Sequence, residues 1–356
     1  MTLTERLILV IGATGAQGRA VVDALLAPDG QGTESSYTVR ALTRDPTSKN
    51  AQELTARGVE CVKGSFTDYA VVAETLQGAY GAWVNTDSFA VGQMEEVYAG
   101  MRIYEVAKRV PSLRHYVWSN LRYVLKNASF NPEYFADHLN AKGRVGEWLS
   151  VQPSVLGDGF SWSQVTTGPY MEMLNGDMFA PRNVREDGTV VFAAPIEDGH
   201  VPMIALKDLG WWARYTFDHR EETSGRELNV TSERVHWDHL VETFTKVTGK
   251  PAVFRRLTVD EWIALFDAEK LQVSFGNSKE KNANTLRDNM TTFWKLLRDD
   301  VIDKDMKWIR NVHPGTYTLE RWMRENAYSE TSKSVLKNTQ TGDMSFGFKS
   351  EIAALL

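Results

Sequence analysis

The sequence predicts an α/β protein: a doubly wound parallel sheet with a smaller, less regular α/β lobe at its C-terminal end. Three observations carry that expectation. Short apolar, β-branched runs alternate with helix-length segments from Leu7 to Val165. Gly12, Gly15 and Gly18 stand directly between the first strand-like run and the first helical one. Beyond about residue 168 the alternation weakens, and glycine, proline and aromatic residues become frequent.

Residues 7–11 are apolar at every position, which suits a strand covered on both faces. Helical periodicity follows over 20–26, then a polar, glycine-bearing loop over 28–36 and a second strand over 38–42. A short helix over 51–57 leads to a third strand over 59–62, and a helix over 71–76 leads to a fourth over 81–84. The longer helix over 94–110 has apolar residues at 94, 97, 101 and 106. Strands over 115–118 and 160–165 flank a helix over 136–149 that ends near Pro153. In the second half, Asp187-Gly188 reads as a hairpin turn before a strand over 189–192. Helices are expected over 236–248, 260–268 and 319–325, and the polar stretch 329–350 reads as extended or flexible. The resulting division is a parallel-sheet domain over 1–168, a smaller lobe over 169–328 interleaved with and packed over the sheet's carboxyl edge, and a tail over 329–356.

Composition narrows the function. With 356 residues the chain is long for one domain and short for three, and 42% apolar with 24% charged residues excludes wholesale disorder. Acids outnumber bases 46 to 40, for a net charge of −6, which argues against a nucleic-acid backbone binder. The one cysteine, Cys61, can form neither an internal disulfide nor a cysteine-rich zinc site. It points to a reducing compartment and reads as a small buried apolar residue. No apolar run is long enough to span a membrane, and Met1 to Arg6 are too few for a signal peptide. The expectation is a cytoplasmic protein, or a nuclear one if it regulates, contacting neither nucleic acid nor membrane and holding no metal.

Gly12-Ala-Thr-Gly15-Ala-Gln-Gly18 has G-x-x-G-x-x-G spacing between strand and helix. Glycines there permit a tight turn and close approach of a pyrophosphate to the helix amino-terminus. Thr14, Ala16 and Gln17 complete the loop that would wrap that group. The second strand ends Arg40-Ala-Leu-Thr-Arg44, where an NAD-binding chain would place an acid on the ribose 2′-hydroxyl. Arg44, followed by Lys49, suits a 2′-phosphate instead, so NADP(H) is the expected cofactor. The alternative is a solvated basic loop with Asp45 partly neutralising Arg44. Ser65 and Phe66 after the third strand, and Asn85, Thr86 and Asp87 after the fourth, would line the rest of the groove. Phe66 either flanks the adenine or packs in the core.

The fifth strand leads into Ser119, a candidate to hydrogen-bond a substrate. His138 and Lys142 are four apart on one predicted helix and project from one face. Such a lysine can orient a nicotinamide ribose and pass a proton; such a histidine can donate a proton or simply wall the site. The plain alternative is two exposed side chains on a surface helix. Tyr170 is a second candidate proton donor. Met171, Met173, Phe293 and Trp294 are candidates for the wall of a pocket for a hydrophobic or aromatic substrate, or for ordinary core.

The glycine turn, Arg40 to Arg44, Tyr116-Val-Trp-Ser119, His138-x-x-x-Lys142 followed by Gly-Arg-Val145, and Thr167-Gly-Pro-Tyr-Met-Glu-Met173 together resemble the NmrA-like family of atypical short-chain dehydrogenases. The resemblance runs from Leu7 to about Glu325 and leaves the tail outside. It implies a Rossmann domain binding NADP(H), with Arg44 and Lys49 on the 2′-phosphate and Lys142 near the nicotinamide. His138 stands where ordinary short-chain dehydrogenases carry the tyrosine of Tyr-x-x-x-Lys. Some members of the family sense the NADP(H) balance and act through protein partners without turnover. Others reduce small aromatic or carbonyl compounds and rely on the lysine alone. The leading expectation is therefore an NADPH-dependent oxidoreductase acting on a small carbonyl, enone or aromatic compound, with a non-catalytic NADP(H) sensor as the alternative.

Overall fold

The computed structural model describes residues 5–356 apart from 29, 31, 177, 268–283 and 337–347. Its packing forms two compact units, each assembled from separate stretches of chain. The first comprises residues up to Tyr123 together with Ala141–Thr167 and Leu206–Asn229; the second comprises Val124–Asn140, Gly168–Ala205 and the residues from Val230 onward. The sequence reading divides the chain at residues 168 and 328, whereas by packing Leu206–Asn229 groups with the first unit and Val124–Asn140 with the second.

The first unit is a parallel sheet with helices between its strands. In chain order these are β1 (Arg6–Ile11), α1 (Ala16–Leu26), β2 (Tyr37–Thr43), α2 (Lys49–Thr55), β3 (Glu60–Lys63), α3 (Tyr69–Thr75), β4 (Gly81–Val84), α4 (Ser88–Val91), α5 (Gln93–Ala107) and β5 (His115–Asn120). The helix Asp137–Ser150 and then β6 (Ser161–Thr166) follow. Strand order is β3-β2-β1-β4-β5-β6, with Arg226–Asn229 added as a seventh strand beside β6, and every pairing is parallel. Ile8 to Ile11 are buried between layers, each apolar side chain contributing about 1.5–3 kcal/mol.

Three departures from the sequence reading concern this unit. The seventh strand escaped notice because it is an edge strand whose first two residues are exposed, so it lacks the continuous apolar run of the inner strands. Cys61 is only half-buried, because β3 is the opposite edge. Along α5 the buried residues are Glu96, Ala99, Gly100, Ile103, Tyr104, Val106 and Ala107; of the expected positions Val106 is among them, while Met94 is exposed.

The second unit contains a three-stranded sheet of Asn183–Val184, Val190–Ala194 and Ala252–Arg256, and a two-stranded one of Val201–Met203 and Glu233–Val235. The expected turn is present: Gly188 has φ +84° and its N–H donates to Arg185 O between the first two strands. Helix Trp237–Thr248 ends on Gly249 in the left-handed conformation, and Leu319–Glu325 stands as expected. The expected helix over 260–268 is Val259–Ala264, with residue 268 outside the described residues. Leu286–Arg298 begins with a reciprocal Thr285–Asp288 cap that the sequence reading passed over. Phe293 and Trp294 on that helix are interior residues packed on Phe179, as the core alternative expects. Of the tail, 337–347 lie outside the described residues, and Ser350–Ala353 is a short helix.

Candidate functional site

Strand order reverses between β1 and β4, and in open parallel sheets the crevice outside the carboxyl ends at such a point receives ligands. Three glycines shape it differently. Gly12 has φ +86°, and a Cβ there would lie 3.0 Å from Asn85 O. At Gly18 a Cβ would lie 2.1 Å from Gly12 O, so the helix could not pack against its own turn. At Gly15, the N-cap of α1, a Cβ meets only Gly12 O at 3.4 Å, an ordinary contact. No side chain caps this helix, so its positive end and first-turn amides, from Ala16 onward, suit an anion. Thr14 and Gln17 are buried in the turn; Thr14 O accepts from Asn50 Nδ2 at 3.0 Å.

At the end of β2, Arg44 is exposed and makes no hydrogen bond or ion pair among the described residues. The neutralising partner considered above is turned elsewhere: Asp45 accepts from Thr47 N at 2.9 Å and Thr47 Oγ1 at 2.6 Å. Those bonds hold its carboxyl below the usual carboxylate range. Lys49 is exposed and lies 4.0 Å from Glu53, which also receives Arg19 at 2.9 Å. After β3, Ser65 Oγ pairs with Thr67 Oγ1 and accepts from Thr67 N. Phe66 is half-buried and packs on the core beneath. Asp87 caps α4, accepting from Phe89 N at 3.0 Å.

The groups that converge most closely do so on Lys142. Its side chain is 9% exposed, and its Nζ donates to Asn85 Oδ1 at 3.0 Å, Thr86 Oγ1 at 3.2 Å and Ser119 O at 3.5 Å. It also lies 3.3 Å from Glu96 Oε1 and 5.1 Å from the centroid of Trp118. The lysine thus joins the ends of β4 and β5 to α5. Its helix is fixed against the sheet by Trp118 Nε1, which donates to Lys142 O, and Gln164 Nε2, which donates to Gly146 O. Ser119 Oγ donates to Gln17 Oε1 at 3.0 Å, linking β5 to the glycine turn. Burial pushes the Glu96 carboxyl above the usual carboxylate range, opposed by the Lys142 charge and the Thr86 hydroxyl.

The other two candidates belong to the second unit. His138 Nδ1 faces the buried side chain of Asn289, 3.3 Å from its Oδ1, and its ring lies 5.7 Å from that of Phe293. Asn289 also accepts from Asp137 N at 3.0 Å. Tyr170 is half-buried and forms a parallel bridge with Ile204. Sequence reasoning missed Glu96 and Asn289. A signal for the first existed: an acid on the i, i+3, i+4, i+7 stripe of α5 that otherwise faces the core. Nothing local distinguishes Asn289. Among the described residues no group of three or more His, Cys, Asp or Glu is placed to hold a metal, and no helix is long and apolar enough to cross a membrane.

An NmrA-like family domain-containing oxidoreductase of Aspergillus campestris is 30% identical over 263 residues, covering 69% of this chain and 74% of its own. NmrA, a negative transcriptional regulator solved in complex with NADP, aligns with TM-score 0.67 and 18% identity over 90% of this chain and 95% of its own. An NADPH-dependent quinone oxidoreductase from Escherichia coli, complexed with NADPH, gives TM-score 0.66 and 19% identity over 90% of this chain and 100% of its own. At those identities the two structures establish a shared Rossmann-like fold. The sequence profile of the NmrA-like family matches residues 4–304, and the chain belongs to that family.

Proposed function

We propose that the chain binds NADP(H) in the first unit and reduces a small hydrophobic carbonyl, enone or aromatic compound. Lys142 carries this reading: a nearly buried ammonium held at the carboxyl ends of β4 and β5, beside the glycine turn. The residues fit the nucleotide. The uncapped start of α1, where a Cβ at Gly15 would touch only Gly12 O, suits the pyrophosphate. The unpaired Arg44, with Lys49 nearby, suits a 2′-phosphate. When bound, the nicotinamide supplies a hydride. Lys142 would orient the ribose and hold at Nζ a proton for the substrate oxygen, while Asn85 and Thr86 fix the direction of that nitrogen. Ser119 would hydrogen-bond the substrate, and His138, one turn before Lys142 on the same helix, would be a further donor. The names of the Aspergillus relative, an oxidoreductase, and of the Escherichia one, an NADPH-dependent quinone oxidoreductase, support redox chemistry on a small molecule.

One observation favours a second reading, an NADP(H) sensor acting through a protein partner in cytoplasm or nucleus. His138 stands in place of a tyrosine, and its Nδ1 is turned to Asn289. Monitoring NADPH oxidation with a panel of aldehydes, quinones and enones, in wild type and Lys142→Ala, separates the two. A substrate-dependent rate that the variant loses supports the reductase. Tight NADPH binding without oxidation of any panel member supports the sensor.

A further inference from the structure

Glu96 is fully buried on α5, in a helix turn that otherwise faces apolar core. Its Oε1 accepts from Thr86 Oγ1 at 2.7 Å and lies 3.3 Å from Lys142 Nζ. Its Oε2 has no hydrogen-bond partner among the described residues. Helix packing alone would be served better by an apolar residue, since a carboxylate with an orphaned oxygen is costly to bury. The charged groups that face it are Lys142 from the helix Asp137–Ser150 and Asp87 from the loop after β4.

We propose that Glu96 is a positioning residue that sets the net charge Lys142 presents to the nucleotide, and so decides how strongly the reduced form is preferred over the oxidised one. The inference rests on the reading that this cradle holds NADP(H), and deepens it. An oxidised nicotinamide ring carries a positive charge and a reduced ring carries none. With Glu96 ionised, the Lys142 charge is cancelled where it stands and both forms are accepted. With Glu96 protonated, the uncancelled ammonium repels the oxidised ring and leaves the reduced one untouched. Burial moves the carboxyl upward, so the crossover falls above the ordinary carboxylate range. Preference for NADPH therefore weakens as pH rises through that ionisation.

The test is to titrate the whole chain with NADPH and with NADP⁺, from mildly acidic to mildly alkaline pH. Wild type, Glu96→Gln and Lys142→Met are compared by the ratio of the two dissociation constants. Glu96→Gln should raise the preference for NADPH about ten-fold on the alkaline side and flatten its pH dependence. Lys142→Met should lower the preference, which carries the same test with the opposite sign if the glutamine variant does not fold. Both nucleotides binding with an unaltered ratio in the variants overturns the inference while leaving the cradle reading standing. Equal weakening of both nucleotides, the mark of a purely structural residue, overturns it too. A wild type that binds neither nucleotide overturns the cradle reading and this inference together.

Discussion

The two ends of β5 bury nitrogen bases in contrasting ways. At the amino end, His115 is fully buried, with Nδ1 2.8 Å from Ser161 Oγ and Nε2 3.1 Å from Ser163 Oγ. Burial, helped by the Arg220 charge, lowers its pKa to about 3, so the ring stays neutral. At the carboxyl end, Lys142 meets a carboxylate, an amide oxygen, a hydroxyl and a carbonyl. A neutral ring among hydroxyls stitches β5 to β6 and serves the scaffold. A cation supplied with a counter-charge and aimed acceptors retains a group able to act on a ligand. Burial alone therefore does not mark a functional residue in this sheet; the chemistry of its partners does.

The largest effect should come from breaking the carboxyl-end cluster. Lys142→Ala should lower turnover by about 10²–10⁴-fold in an NADPH oxidation assay. It should also cost about 3–5 kcal/mol in urea melts, because Glu96 is left as an uncompensated buried acid. Adding Glu96→Gln to the same chain should return part of that stability and none of the turnover. If the single variant melts like wild type, the two ends of β5 are not different in kind.

At the amino end the signature is a pH slope. The folded-state pKa of His115 lies below the free value, so the unfolded chain takes up its proton first on acidification. Stability is present above pH 6.5 and should be lost as pH falls from 6.5 toward about 3, at up to about 1.4 kcal/mol per unit. Melting curves of His115→Asn across that window should show a shallower slope, with no change in nucleotide affinity.

Arg44→Ala should weaken NADPH by about 1.5–3 kcal/mol, leave NADH unchanged and shift stability by less than about 0.5 kcal/mol. Competitive titration of the two nucleotides checks the first part and thermal melts the second. The smallest stability change belongs to Gly15→Ala, within about 0.5 kcal/mol, since its φ of −83° and the lone contact of a Cβ with Gly12 O admit a methyl group. Fluorescence titration should nevertheless show weaker NADPH binding, because that methyl would stand where the pyrophosphate approaches.

Apolar runs, glycine spacing and the regular alternation with helices were enough to read β1 to β6. Strands β4, β5 and β6 are buried throughout, whereas β3, at the edge, was placed by its position between two helical segments. The seventh strand was illegible because its edge position lets polar residues occupy it. In the site, Lys142, Asn85, Thr86, Ser119 and Gln17 were all named from the sequence, and the structure brings them together. Glu96 was hidden by a phase error: of 94, 97, 101 and 106, taken as the apolar face of α5, only Val106 is among the buried residues, which include the acid. Asn289 lies 151 residues from His138, and no local pattern records such a pairing.

The return of Leu206–Asn229 to the first unit has a consequence for the order in which the chain acquires its shape. Helix Leu206–Asp218 lies so close to α1 that a Cβ on Gly210 would come 2.4 Å from Ala20 O. Strand Arg226–Asn229 supplies the outer neighbour of β6. During synthesis, then, the nucleotide-binding half waits with one strand edge unpaired while the intervening residues 168–205 emerge from the ribosome. A gene fragment ended near residue 168 would make that unfinished state permanent, presenting β6 as a template for another chain's strand.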